Sequence, residues 1–170
     1  MKILFPFLKI LSVLFLTVLS SCSGRGGKHP PASGKEEGLV HYPGEKHFEW
    51  VKQLTSGGEN AEAYWSFDDS YLVFQATNEE WNTACDQIFL LDPWDDSNHS
   101  PQMLSTGHGR TTCAYFLPGD SLILYASTHE WDSACPENPP RMVNGRYVWP
   151  VYPGYDIYTA DLRGNITGRL

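Results

Sequence analysis

Ala63-Tyr-Trp-Ser-Phe-Asp-Asp-Ser-Tyr-Leu-Val-Phe-Gln-Ala-Thr77 has a second copy in this chain. It reads Ala114-Tyr-Phe-Leu-Pro-Gly-Asp-Ser-Leu-Ile-Leu-Tyr-Ala-Ser-Thr128, at an offset of 51 (114 − 63). After one deleted residue, Glu80-Trp-Asn-Thr-Ala-Cys85 lies over Glu130-Trp-Asp-Ser-Ala-Cys135, at an offset of 50 (135 − 85). A period of about 40–50 residues built from short strands marks a repeat architecture.

Each copy reads as a four-stranded antiparallel unit. The first places strands at 61–66 and 71–76 around Phe67-Asp-Asp-Ser70, then at 87–91 and 102–105. The second places strands at 112–117 and 122–127 around Pro118-Gly-Asp-Ser121, then at 156–160, with a turn at Asp161-Leu-Arg-Gly164. Asp, Gly and Ser suit these turns because they tolerate left-handed backbone or bond to their own main chain. The fold class expected is all-β.

The run from Leu54 to Asp92, and again from Leu104 to Asp161, resembles the TolB-like (WD-repeat-like) β-propeller repeat. The matching features are Leu54-Thr55, Gly57-Gly58, Trp65-Ser66, the Asp68-Asp69 turn, and Asp86-Gln-Ile-Phe-Leu-Leu-Asp92. The second copy departs from the pattern with Phe116-Leu-Pro118 and with a long insert after Cys135. The resemblance implies two four-stranded blades of a six-bladed ring, with repeats at about 53–102 and 103–164. Residues 165–170 then read as the start of a further repeat. Two blades leave strand edges and faces open. The expectation is therefore the N-terminal part of a longer protein, with a two-blade unit that oligomerises as the alternative.

Working outward to the N-terminus, Lys2 and Lys9 precede the apolar run Ile10-Leu-Ser-Val-Leu-Phe-Leu-Thr-Val-Leu19. This is the pattern of a secretion signal over residues 1–21. A membrane-spanning helix needs about 20 apolar residues, and Pro6 and Lys9 interrupt the run. Leu19-Ser-Ser-Cys22 resembles the bacterial lipobox, which implies lipid attachment at Cys22. The implied location is the bacterial cell envelope, with the lipid anchor in a membrane. Ser23 in place of Asp points to the outer membrane, facing the periplasm or the cell surface. Residues 22–46 are rich in Gly, Pro, Ser and charge and read as a flexible tether. Residues 47–170 form the domain.

Composition supports an exported β protein. The chain has six Trp, nine Tyr and a net charge of −8. Nucleic-acid phosphates need Lys and Arg, so a nucleic-acid partner is not expected. Apart from Cys22 there are Cys85, Cys113 and Cys135. Exported proteins permit disulfides, and the expectation is one bridge, from Cys113 to either Cys85 or Cys135. No Cys-x-x-Cys or spaced His pair suggests zinc, and no metal or cofactor is expected.

In such a unit the short turns at 67–70 and 118–121 share one end. The longer connections at 77–86, 106–111 and 128–155 share the other. Long loops on a rigid scaffold commonly carry function. The candidate binding residues there are Trp81, His108, Arg110, His129, Trp131, Tyr147, Trp149 and Tyr152. Aromatic rings offer stacking surface to a sugar or a peptide. No Gly-x-Ser-x-Gly elbow and no His-Glu-x-x-His motif occurs. The expected function is a non-catalytic scaffold for an envelope protein or a glycan. The alternative is the propeller portion of a prolyl-oligopeptidase-like serine peptidase whose catalytic domain is absent from this chain.

Overall fold

The computed structural model describes residues 43–49, 51–95, 97, 100–149 and 151–170. The signal segment, Cys22 and residues 23–42 of the tether lie outside them. The protein is all-β. Among the described residues the helical content is one 3-10 turn, Glu79–Trp81.

The first sheet contains β1 (Glu59–Trp65), β2 (Leu72–Thr77), β3 (Gln87–Leu91) and β4 (Gln102–Met103), paired antiparallel in chain order. The second contains β5 (Thr111–Phe116), β6 (Leu122–Ser127), β9 (Asp156–Asp161) and β10 (Ile166–Arg169). Its strands lie in the order β5-β6-β9-β10, the same sequence of neighbours. A small hairpin, β7 (Met142–Val143) and β8 (Arg146–Tyr147), sits inside the insert between β6 and β9. The expected strands are found within one to two residues at each end.

The sequence repeat is also a repeat of backbone detail. In the first β1–β2 turn the Ser66 N–H donates to the Tyr71 carbonyl and the Asp69 N–H to the Ser66 carbonyl. In the second, Leu117 and Asp120 make the same bonds to Leu122 and Leu117. Asp69 and Asp120 are both left-handed, with φ of 57° and 54°. Each inner strand carries a bulge, between Ala61 and Tyr64 in β1 and between Thr112 and Tyr115 in β5. Glu62 and Cys113 occupy it with φ of 52° and 53°. Bulges re-aim side chains and add local twist.

Ile166–Arg169 complete the second sheet as β10, in the place that β4 holds in the first. The cause is the turn at Asp161, whose Oδ1 accepts the N–H groups of Arg163 and Asn165, each at 2.9 Å. That closes a hairpin and folds Ile166–Arg169 back on β9.

The two sheets pack face to face. Val73, Ile88 and Leu90 of the first meet Ala114, Phe116, Ile123, Tyr125, Tyr158 and Ala160 of the second, with Leu104 between them. Strand residues two apart share a face, so the core takes alternate positions of each strand. On the far side of the first sheet, Phe74, Ala76 and Phe89 pack with Trp81, Leu91 and Met103. The far side of the second sheet carries Leu124, Ala126 and Ile157, which are only partly covered. The two short turns are joined at one end. Both carboxylate oxygens of Asp120 accept from the first turn, from the N–H of Phe67 at 2.8 Å and of Asp68 at 3.1 Å.

Candidate functional site

The long connections gather at the opposite end, as the alternation of antiparallel strands requires. Two glycines set their close approach. A Cβ on Gly58 would lie 2.4 Å from the Thr77 carbonyl, and one on Gly109 would lie 2.7 Å from the His129 nitrogen. Both have positive φ, so glycine is required there for conformation and for space.

Cys85 and Cys135 form a disulfide at this end, with Cα atoms 5.9 Å apart. Cys113 is free and exposed. The expected bridge from Cys113 is therefore corrected. Cys85 and Cys135 close the same connection in two neighbouring sheets, which sets them side by side. Cys113 lies in the bulge of β5, where its N–H donates to Gln75 Oε1 at 3.2 Å. A hydrogen bond with Thr112 pulls the Cys113 pKa down. Desolvation and the nearby Glu62 carboxylate outweigh it and hold the thiol above its ordinary value. A protonated thiol is a weak nucleophile.

Asp86 and Arg110 organise the rest. The Asp86 Oδ1 accepts from the Thr77 hydroxyl at 2.7 Å, and its Oδ2 pairs with Arg110 Nη1 at 2.6 Å. Arg110 Nη2 donates to Asn138 Oδ1 at 3.1 Å, and the Tyr152 hydroxyl donates to the same oxygen at 2.7 Å. The guanidinium also lies 5.2 Å from the Tyr152 ring centre. Residues at both ends of the insert are thus pinned to one arginine, which immediately precedes β5. Tyr155 lies nearby. Burial, opposed by Arg110 and reinforced by Asp86, pushes its pKa up to about 12. Arg110 and Tyr152 were expected to face a ligand; both are spent mainly on holding the insert.

The other candidates separate by their contacts. Trp81 stacks in the far-side cluster, 5.1 Å from Phe89 and 6.3 Å from Phe74 between ring centres, so its ring is a packing element and not a free binding surface. His129 is half-buried, with Nδ1 2.8 Å from the Ser127 hydroxyl and its ring 4.3 Å from that of Tyr158. Desolvation lowers its pKa, with Glu130 opposing and His108 and Arg169 adding to the fall. His108 is exposed, and its N–H donates to Thr106 Oγ1. Trp131 is 69% exposed and lies over Gly154, where an added Cβ would fall 2.3 Å from the indole Cγ. Tyr147 and Trp149 meet edge to face in the insert and remain open to solvent.

The exposed surface at this end is therefore made by His108, Trp131, Tyr147 and Trp149 on a framework fixed by the disulfide and by Arg110. Such a surface can stack, exclude water and donate hydrogen bonds. Among the described residues no three His, Cys, Asp or Glu side chains converge to hold a metal ion. The sequence reading missed Asp86, Asn138 and Gly154, which build the framework. It also missed the β7–β8 hairpin, although Asn144-Gly145 between Val143 and Arg146 is a turn signal. No family model, curated protein or solved structure matches the chain.

Proposed function

We propose that the chain is an envelope lipoprotein, anchored through Cys22, whose paired sheets belong to a TolB-like propeller and act as a non-catalytic binding scaffold. The ligand is an envelope protein or glycan, received at the end where the long connections meet, beside the exposed His108 and Trp131. The observation that carries this reading is the rigid fixing of exposed aromatic loops on repeated sheets by Cys85–Cys135 and by the Asp86–Arg110–Asn138 chain. Preorganised loops lose less entropy on binding.

The propeller reading draws support from the packing of the sheets. The positions of the first sheet that face the second include Val73 and Ile88. Val73 corresponds by register to Leu124, and Ile88 to Ile157, on the half-open side of the second sheet. The contact is thus head-to-tail, and contacts of that kind build rings or stacks.

Photo-crosslinking in the native host tests the reading. A photoreactive residue at Trp131 gives discrete adducts with an envelope protein or glycan, while one at Asp69, in a short turn, gives none. Labelled palmitate enters the wild-type chain and not Cys22→Ser. Equal adducts from both ends together with no palmitate at Cys22 would contradict the proposal.

A further inference from the structure

The β7–β8 hairpin projects from the insert with both faces in solvent. Met142 pairs with Tyr147 and Val143 with Arg146, on alternate faces, and all four residues are exposed. Trp149 and Val151 follow, 76% and 90% exposed. An isolated two-stranded hairpin is marginal in water. Contiguous exposed apolar surface marks an interaction site.

Charge is segregated in the same place. Between Glu137 and Asp156 the sequence has no acidic residue, and its charged side chains are Arg141 and Arg146, in a chain of net charge −8. The hairpin is thus a cationic, apolar tip on an acidic body.

We propose that residues 141–149, together with Val151, dip into the headgroup region of an anionic lipid membrane. Trp149 and Tyr147 have the amphipathic rings that settle at that depth. Val143, Val151 and Met142 enter the acyl boundary, and Arg141 and Arg146 meet lipid phosphates. Shape and charge select this occupant. A protein groove typically covers one face of a hairpin, whereas a lipid interface surrounds both. Sugar hydroxyls call for acceptors beside a flat ring, and this segment offers aliphatic tips and no carboxylate. The acidic remainder of the surface is repelled by anionic lipid, which confines the contact to the hairpin.

The test uses the full chain bound to phosphatidylcholine–phosphatidylglycerol vesicles, isolated by flotation, with and without brominated acyl chains. Bromine quenches tryptophan at the lipid boundary. Wild type is quenched, and W149F loses that quenched component while keeping its far-ultraviolet circular dichroism, because Trp149 lies outside both packed clusters. The R141Q/R146Q double variant, vesicles of phosphatidylcholine alone and high salt each reduce the component by about half or more, as screening of a surface contact requires. Equal quenching of wild type and W149F would place Trp149 in water and overturn the proposal. So would quenching indifferent to salt and to both arginines. A hairpin reserved for a protein partner gives the first of these results.

Discussion

At the scale of single residues, the structure depends on a few polar groups that join segments far apart in sequence. Asp120 is the clearest. Its carboxylate is held at φ 54° beside Gly119 and ties the two short turns together. Asp120→Ala removes two charge-assisted bonds at an exposed site, and urea unfolding should show a loss of about 1–2 kcal/mol. An unchanged midpoint would mean that the two turns are not joined in solution. Cys113 makes a second prediction. Its raised pKa leaves little thiolate at neutral pH, so iodoacetamide should alkylate it more slowly than free cysteine. Glu62→Gln removes a carboxylate that helps to hold the proton, and it should speed the reaction. Faster alkylation of the wild type than of free cysteine would contradict this environment.

At the scale of elements, the strands were legible because each repeat spells its own hairpins. Apolar alternation with Asp and Ser in the turns fixed β1 to β3, β5, β6 and β9 within one to two residues. The fourth strands were harder. β4 is two residues long. β10 was not legible as a strand of the second sheet because its hairpin depends on how Asp161 bonds its own turn, which spacing alone does not reveal. The bridge was misread for a related reason. Cys113 opens its strand near the connections that Cys85 and Cys135 close, but the choice between the three turns on where the bulge of β5 aims Cys113. The framework of the insert was illegible, since Arg110, Asn138 and Tyr152 meet only after the loop has folded back. Gly154 tests that framework. Gly154→Ala places a Cβ into the Trp131 ring at a φ of +78°. Limited proteolysis within 136–155 should therefore accelerate several-fold while the two sheets stay protected, as expected for a locally opened loop. Unchanged cleavage would show that Trp131 does not hold the insert.

At the scale of the whole molecule, two features give the fold a pH dependence and a covalent tie. Tyr125 lies between the sheets, where burial first and then neighbouring Tyr158 push its pKa up to about 12; Tyr155 reaches the same value beneath the insert. Unfolded tyrosine titrates near pH ~10. The folded state holds these protons more tightly, so the contribution is whole below about pH 10 and is lost as pH rises from there to about 12. The denaturation midpoint should fall through that window, and less steeply in Tyr155→Phe. A flat profile would mean that neither hydroxyl is desolvated. The covalent tie closes 50 residues between equivalent points of the two repeats, and a loop of that length contributes about 4 kcal/mol in the chain-entropy account. The repeat brings the same connection of two sheets together at one end, with Cys85 against Cys135. Mass mapping of the protein, alkylated under oxidising conditions and digested without reduction, checks this pairing. One linked pair containing Cys85 and Cys135 is expected, with Cys113 carrying the alkyl group. A linked peptide containing Cys113, or three alkylated thiols, would contradict it.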